Sequence, residues 1–390
     1  MARFELHIDV DPARMEQSLQ RMLKRAEFRY HDRVPVNFCV EPRFFAPLLG
    51  IRLGDVYKDP ETQFFYLLQF AKMHAELLNS DFLTSPVIYI APWFDNVPQA
   101  SAFGCEIAWP ENETLQAIPC MHDVSEIEDM KIPAPDAGLW GRRIDWFFKM
   151  QEMCRETKVT IGSGSAAVEG RVEMAPLAQL WLGPHMIAVD MAGTEFYYWM
   201  AEYPEECHKM LEKITRGCMA AEDYARKLDP RPRGGFSLAE DSSTILSPAM
   251  FRDMVIPYTK RCYDRYGAGL RFGRGLHMCG PSTHLLDILA DDLRISDFNV
   301  FGCPVRPEDA ARALGGKALL WGNIDPVLIK DGTKEQVKAA CRHALEVMAP
   351  CGGFMLGDGA NICPGTPIEN LLAFTEAAEE YGLPETAGKP

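Results

Sequence analysis

Two hydrophobic patterns alternate along the chain. Short apolar runs rich in β-branched and aromatic residues predict strands, and they lie at residues 34–39, 86–90, 159–162, 235–238, 270–277, 295–300, 318–321 and 354–356. Longer stretches with apolar residues at helical spacing lie at residues 61–79, 142–157, 204–227, 334–348 and 367–381. Ser247-Pro248 and Thr366-Pro367 predict helix starts, because a hydroxyl cap there precedes proline at the first helical position.

The alternation of strands and helices predicts the fold class. A strand followed by a helix, repeated along a chain, is typical of a parallel sheet covered by helices. Eight candidate strands favour a single (β/α)8 TIM barrel over residues 1–390 with an N-terminal extension, and a doubly wound open sheet is the alternative. Residues 92–140 fit the alternation least, since prolines recur through them, and we interpret them as an insertion.

Composition and charge narrow the possible partners. Hydrophobic residues make up 47% and charged residues 24%, as in ordinary globular proteins. The net charge of −15 repels phosphate backbones and anionic lipids, so we expect neither nucleic acid nor membrane as a partner. Residues 1–9 mix charged and apolar positions and do not predict a signal peptide, so we expect a cytoplasmic protein whose twelve cysteines are thiols or metal ligands.

The sharpest local motif is His277-Met278-Cys279, at the end of the fifth candidate strand. Residues two apart in a strand point to the same face, so this imidazole and thiolate can bind one zinc ion. Cys363 follows the eighth candidate strand, and in a barrel both positions open at the carboxyl ends of the strands. Three ligands with one open position would form a catalytic site. The alternative is that His277 is a hydrogen-bonded core residue and the cysteines pack as small hydrophobic side chains.

Two further polar clusters follow predicted strands. Glu240 and Asp241 come after the fourth strand, where a carboxylate can act as a further metal ligand, a general acid or a substrate hydrogen-bond partner. Alternatively, they form the cap and acidic first turn of a helix. Asn323 comes after the seventh strand, where it can bind substrate or cofactor or simply close a turn.

Several short segments follow one another in the chain from about residue 175 onward. They are Leu182-Gly183-Pro184, Tyr203-Pro204-Glu205, Leu246-Ser247-Pro248 with Ile256-Pro257-Tyr258, His277-Met278-Cys279-Gly280, Leu320-Trp321-Gly322-Asn323-Ile324-Asp325-Pro326 and Thr366-Pro367-Ile368-Glu369-Asn370. In this order they resemble the uroporphyrinogen decarboxylase superfamily. The resemblance implies a (β/α)8 barrel, in agreement with the strand count.

The motifs favour one branch of that superfamily. True decarboxylases resemble one another in an arginine-rich N-terminal segment that grips the substrate carboxylates, and residues 33–36 lack the paired arginines of that segment. Corrinoid-linked methyltransferases carry a zinc site of the form HxC followed at a distance by Cys, which His277, Cys279 and Cys363 match. The resemblance therefore implies a zinc-dependent methyltransferase. The chain shows no DxHxxG motif, so we expect a partner corrinoid protein or a free cobamide to supply the cobalt.

The direction of methyl transfer and the substrate stay open at this stage. We favour O-demethylation of a methoxylated aromatic compound, because Trp93, Phe94 and Phe103 lie outside predicted helices in an aromatic-rich first half and can line an aromatic pocket. The alternatives are a methylcobamide:thiol (coenzyme M) methyltransferase, a tetrapyrrole decarboxylase and a non-catalytic corrinoid-binding module. The resemblance allows a monomer or a homodimer, and the sequence does not decide between them.

Overall fold

The computed structural model describes residues 3–382 of the chain. The eleven strands of this described part are β1 (Phe4–Ile8), β2 (Val87–Ile90), β3 (Glu106–Ala108), β4 (Gln116–Ile118), β5 (Thr157–Ile161), β6 (Val168–Met174), β7 (Gly235–Ala239), β8 (Phe272–His277), β9 (Asp297–Asn299), β10 (Leu319–Ile324) and β11 (Phe354–Asp358). The strands predicted at residues 86–90, 235–238, 270–277, 295–300, 318–321 and 354–356 are thus confirmed within a few residues.

Helices follow most of the parallel strands. They are α1 (Pro12–Ala26), α2 (Pro42–Leu48), α3 (Pro60–Leu77), α4 (Pro98–Ala102), α5 (Glu126–Asp129), α6 (Gly138–Arg155), α7 (Pro184–Ala192), α8 (Glu195–Glu202), α9 (Pro204–Leu228), α10 (Pro248–Met254), α11 (Ile256–Tyr266), α12 (Leu286–Ile288), α13 (Pro307–Leu314), α14 (Pro326–Asp331), α15 (Lys334–Met348) and α16 (Ile368–Tyr381). All five helices predicted from the apolar spacing are present. No helix of residues 3–382 combines the length and apolar character needed to cross a membrane.

The two predicted caps have different outcomes. Ser247 caps α10 as predicted, because its Oγ accepts a hydrogen bond of 3.2 Å from the backbone N–H of Met250. The cap predicted at Thr366 is wrong. Its hydroxyl donates to the carbonyl of Cys363 at 2.8 Å, and α16 begins after Pro367 without a side-chain cap. Thr366 therefore stabilises the loop that carries Cys363 and does not cap α16.

The core of the fold is a row of parallel strands. Strands β7 to β11 pair in sequence order, and every pairing is parallel. Isolated parallel bridges extend the row at both ends, from Val36 to Leu356 of β11 and from Leu182 to Ala239 of β7. The predicted α/β class with parallel strands and intervening helices is therefore confirmed, and the carboxyl ends of the row meet at one side of the molecule.

Two strand predictions need correction. The candidate strand at residues 159–162 is β5, which pairs with β1 and β6 in a second sheet of order β1-β5-β6-β2 rather than in the parallel row. The segment around Leu182 takes the place next to β7, and the sequence pattern missed it because a single residue makes the ladder contact. The candidate strand at residues 34–39 likewise forms only the bridge at Val36.

Residues 92–140 form an antiparallel pair, β3 and β4, with the short helices α4 and α5. This segment packs on α9, where Lys213 donates to the carbonyls of Ile127 and Glu128 at 2.8 Å each. The ring of Phe103 packs directly on Gly217, since a Cβ added at Gly217 would lie 2.7 Å from this ring. The segment lies against a helix, which agrees with an insertion, but the assignment as an insertion stays a prediction. So does the single domain over residues 1–390, of which 1–2 and 383–390 lie outside the described part.

A buried carboxylate joins the N-terminal helix to the end of the parallel row. Asp81 accepts hydrogen bonds from Arg21 at 2.9 Å, from Arg33 at 2.7 Å and from the backbone N–H of Val36 at 2.9 Å. Ser18 of α1 adds a fourth at 2.8 Å. A buried charge is tolerated when it is paired and fully hydrogen-bonded. This cluster therefore anchors the segment that leads to the carboxyl end of the row.

Folding stability is expected to fall at acid pH because of His74. This side chain is buried in α3, stacks on Phe82 with ring centroids 4.0 Å apart and contacts the Ser80 hydroxyl at 3.2 Å. Burial lowers the pKa of His74 from its ordinary value of 6.5 to about 3. Between these two pH values the unfolded state therefore binds a proton that the folded state does not bind. Its contribution is fully present above pH 6.5 and is lost as the pH falls toward 3. Between pH 6.5 and about 5 the loss amounts to about 2 kcal/mol.

The measurement is the free energy of unfolding by urea across that pH range for wild type and His74→Phe, which keeps an aromatic ring in the stack. We expect a shallower pH dependence in the variant. Part of the dependence remains, because burial also lowers the pKa of His185 to about 3. Equal slopes in the two proteins would contradict the assignment.

Candidate active site at the carboxyl ends of the parallel strands

Three side chains with metal-binding atoms meet where β7 and β8 end. Ala239 and His277 are register partners in this parallel pair, so the residues that follow the two strands are brought together. His277 Nε2 lies 3.7 Å from Asp241 Oδ1, which accepts a 2.6 Å hydrogen bond from the backbone N–H of Cys279. One potential ligand atom from each of Asp241, His277 and Cys279 lies within 4.8 Å of the others. The group combines nitrogen, sulfur and oxygen donors.

The electrostatics of this group fit a cation. Burial and, after it, the neighbouring Asp241 carboxylate together raise the pKa of the Cys279 thiol to about 12. A divalent cation among these atoms would reverse that balance, because it favours the thiolate and neutralises the carboxylate. Imidazole, thiolate and carboxylate are the ligand types that zinc takes in proteins. The donor set therefore fits a zinc ion.

Cys363 lies at the same side of the molecule, in the loop between β11 and α16. Thr366 fixes this loop, because both its backbone N–H and its hydroxyl donate to the Cys363 carbonyl, at 3.2 and 2.8 Å. Within residues 3–382 the Cys363 thiol is not part of the group formed by Asp241, His277 and Cys279. The role of Cys363 as a ligand stays a prediction.

The structure separates the two neighbouring carboxylates after β7. Asp241 faces the His277 and Cys279 group, whereas Glu240 is fully buried between α7 and α11, where Thr259 Oγ1 donates to it at 3.0 Å. Burial raises the pKa of Glu240 to about 8, so the neutral acid is its main form at pH 7. Its packing is tight, since a Cβ on Gly183 would lie 1.8 Å from Glu240 Oε1. The structure thus places Glu240 at the start of α7, and its predicted catalytic role stays a prediction.

Asn323, at the end of β10, holds the loop after β9. Its Nδ2 donates to the carbonyl of Val305 at 2.7 Å and to that of Gly302 at 3.2 Å. Gly302 passes so close to the site that a Cβ there would lie 2.2 Å from the Cys279 carbonyl oxygen. Asn323 thereby supports the backbone around Cys279. Its predicted role in binding substrate or cofactor stays a prediction.

Sequence reasoning missed three polar residues at the same ends of the strands. Asp358 ends β11, is fully buried, and accepts a 2.8 Å hydrogen bond from the backbone N–H of Cys39. Burial, followed by the charges of Asp358, Glu41 and Cys279, raises the pKa of Cys39 well above its ordinary value. Cys303 follows β9 and packs on Gly359. The available signal was position, because each of the three lies at or shortly after the end of a strand or bridge of the row.

The aromatic residues singled out in the first half have separate surroundings. Phe94 is buried and packs on Trp146 with ring centroids 4.8 Å apart, so it belongs to the core. Trp93 and Glu41 line a cavity of about 260 Å³. Glu41 lies close enough to Cys39 for its charge to contribute to the raised pKa of that thiol. Phe103 lines a different cavity, of about 600 Å³, in the 92–140 segment. Trp93 is therefore the one of the three that shares its cavity with a residue near the site.

The fold and the site together define an α/β protein built on a row of parallel strands, with side chains that could hold a metal ion at the carboxyl ends of these strands. The family model of uroporphyrinogen decarboxylase (URO-D) matches residues 88–381, and the chain belongs to this family.

Known proteins support the same grouping. The chain is 24% identical over 319 residues to the methylated-thiol–coenzyme M methyltransferase of Methanosarcina mazei, covering 80% of this chain and 78% of the relative. It is 27% identical over 207 residues to the methylcobamide:CoM methyltransferase MtaA of Methanosarcina barkeri, covering 51% of this chain and 56% of the relative. A solved methyltransferase from Methanosarcina mazei shares the fold, with a TM-score of 0.66, 20% identity, and coverage of 93% of this chain and 98% of that one. The prediction of a methyltransferase is confirmed at the level of this enzyme class.

Proposed function

We propose that this protein is a zinc-dependent methyltransferase that moves a methyl group between a small substrate and the cobalt of a corrinoid protein. The observation that carries the proposal is the grouping of Asp241, His277 and Cys279 within 4.8 Å at the carboxyl ends of the parallel strands. The similarity to a methyltransferase named for methylcobamide supports the corrinoid, and a partner protein is the proposed source of it.

The side chains of the site supply charge balance and orientation. A neutral His277 with the Cys279 thiolate and the Asp241 carboxylate carries two negative charges, which match a divalent ion. Bound zinc stabilises negative charge on the sulfur or oxygen atom that loses or receives the methyl group. Asp241 also accepts the backbone N–H of Cys279 at 2.6 Å, so it orients the loop that carries the thiol. The loop at Gly302 packs closely on the Cys279 carbonyl, and Asn323 holds this loop by donating to the Gly302 carbonyl.

For the substrate we favour a methoxylated aromatic compound that is O-demethylated. The support is the cavity of about 260 Å³ beside Glu41, whose lining includes Trp93 and other aromatic side chains. Flat aromatic substrates bind in such apolar, aromatic-lined clefts. The second candidate is methyl transfer to or from a thiol, and it is favoured by the names of both relatives, which refer to coenzyme M.

A tetrapyrrole decarboxylase is less well supported. Such an enzyme needs free arginines for several substrate carboxylates, and arginines of the N-terminal segment are engaged inside the protein. Arg33 and Arg21 both pair with Asp81, at 2.7 and 2.9 Å. Arg25 is buried and donates to the Gly353 carbonyl at 3.1 Å. These side chains are committed to the fold.

The deciding experiment follows the methyl–cobalt bond by its absorbance. Zinc-loaded protein is incubated with a methoxylated benzoate and Co(I) cobalamin, or with methylcobalamin and a thiol. Free cobalamin takes the place of the partner's corrinoid here, so we expect a slow but measurable reaction. We expect methylcobalamin to form in the first mixture, or to be consumed in the second if the thiol is the substrate, and a zinc chelator to stop either reaction. Release of CO2 from uroporphyrinogen without methyl transfer, or cobamide binding without turnover in either mixture, would contradict the proposal.

A further inference from the structure

Two cysteines outside the proposed metal site lie in direct contact. Cys105 precedes β3 and Cys120 follows β4, and the antiparallel pairing of Glu106 with Ile118 brings them together. Their sulfur atoms are 3.4 Å apart, with the Cys105 thiol donating toward Cys120. Both are free thiols, Cys105 buried and Cys120 half-buried. The pair therefore combines a buried cysteine, Cys105, with a partly accessible one, Cys120.

A cavity leads to the sulfur atom of Cys120. It has a volume of about 600 Å³ and reaches Cys120 within the 92–140 segment. Its wall combines thioethers, a phenyl ring, two carboxylates and one amine, and its main lining residues are Phe103, Cys120, Met121, Glu126, Asp129, Met130, Lys131 and Met191. A volume of this size accommodates a small organic molecule. A reagent can thus reach Cys120 without unfolding the hairpin.

We propose that Cys105 and Cys120 form a dithiol site that reacts reversibly with small organic disulfides entering this cavity. In the first step the Cys120 thiolate attacks one sulfur of the disulfide, the S–S bond of the reagent breaks, and a mixed disulfide forms as one thiolate leaves. In the second step Cys105 loses its proton to that thiolate and attacks Cys120 Sγ, which releases the second half as a thiolate that takes a proton from water. The protein gains one disulfide and the reagent is reduced to two thiols.

The environment of the two sulfurs supports this order of attack. The hydrogen bond from Cys105 lowers the pKa of Cys120 to about 7, whereas the same bond, followed by burial, raises the pKa of Cys105. Thiolates are the attacking species, and attack is most efficient when the pKa lies near the ambient pH. Cys120 is therefore the attacking cysteine and Cys105 the resolving one.

The dithiol touches the far end of α7 rather than the proposed metal ligands. The backbone N–H of Cys120 donates to the Met191 carbonyl at 2.8 Å, and Cys105 Sγ lies 3.9 Å from the Asp190 carbonyl oxygen. The first residues of α7, by contrast, lie against Glu240. Oxidation of the pair therefore needs no metal, and its test is independent of the proposed function.

The experiment treats the full-length protein with oxidised glutathione and records intact mass and peptide maps. Cleavage after glutamate separates the two cysteines, because Glu106, Glu111 and Glu113 lie between them. We expect wild type to lose two hydrogens, about 2 Da, and to yield Cys105 and Cys120 peptides joined until a reductant is added. In Cys105→Ser, whose hydroxyl still donates toward Cys120, we expect a trapped glutathione adduct on Cys120. In Cys120→Ser, Cys105 stays unmodified.

Cys351→Ser serves as the control and is expected to form the joined peptides as wild type does. Circular dichroism establishes that each variant is folded, and Cys105→Ala provides a second trap if Cys105→Ser is not. A glutathione adduct that persists on Cys120 of wild type, or a Cys120 that does not react in a folded Cys105 variant, would overturn the proposal. Wild-type protein whose two cysteine peptides remain separate and reduced would overturn it as well.

Discussion

Replacing Cys279 by alanine is expected to abolish zinc binding and to lower methyl transfer at least about 100-fold. The thiolate is the strongest donor of the group, and of the three grouped side chains its loss leaves only Asp241 and His277, whose Oδ1 and Nε2 atoms lie 3.7 Å apart. Wild type offered zinc should hold about one ion per chain after dialysis, and Cys279→Ala close to none. Metal content by atomic spectroscopy and the methyl–cobalt absorbance assay measure the two effects.

Cys351→Ala is the matched control, since this cysteine packs beside Gly315, outside the group of ligand atoms, and should leave zinc content unchanged. Two more variants identify the remaining ligands. Loss of zinc in Cys363→Ala would support Cys363 as a ligand, and loss in Asp241→Asn would support the carboxylate. A wild-type protein that takes up no zinc, or a Cys279→Ala variant that still binds zinc, would contradict the assignment as a zinc-dependent enzyme.

Gly183→Ala is expected to destabilise the protein by on the order of 3 kcal/mol or more. Gly183 precedes α7 with φ −72° and ψ 156°, a conformation open to alanine, so the backbone itself imposes no cost. The cost is steric, because the new Cβ would lie 1.8 Å from Glu240 Oε1 and 2.7 Å from its Cγ. Glu240 is fully buried, so its carboxyl has little room to move. The free energy of unfolding in urea measures the effect.

Gly234→Ala is the matched control for this steric argument. A Cβ at Gly234 meets no atom within 4 Å, so we expect a change within about 0.5 kcal/mol. The double variant Gly183→Ala/Glu240→Ala removes the colliding carboxyl and should be more stable than Gly183→Ala/Glu240→Gln, which keeps the volume. Equal stability of Gly183→Ala and Gly234→Ala, or no difference between the two double variants, would refute the contact.

Features that depend on short spacing along the chain follow from the amino-acid sequence alone. Apolar runs and helical spacing identified the five strands β7 to β11 of the row, β2 and β5 of the second sheet and all five predicted helices, because these patterns arise from burial on one face of a local element. The grouping of His277 with Cys279 was likewise predicted, since residues two apart in a strand face the same side, and this arrangement continues just past the end of β8. The resemblance of the second half agreed with both, and the family match confirms it.

How distant segments of the chain combine becomes visible only in the folded molecule. Neighbouring Glu240 and Asp241 look equivalent in the sequence, yet strand direction sends Asp241 to the His277 and Cys279 group and Glu240 into the packing of α7. The segment around Leu182 joins the parallel row through one bridge, too short a contact to leave a hydrophobic pattern. The contact of Cys105 with Cys120 depends on the pairing of β3 with β4. The hydrophobic periodicity of a segment shows which face of that one element is buried. The contacts named here depend on how separate elements pack against one another, and this packing is a property of the whole fold.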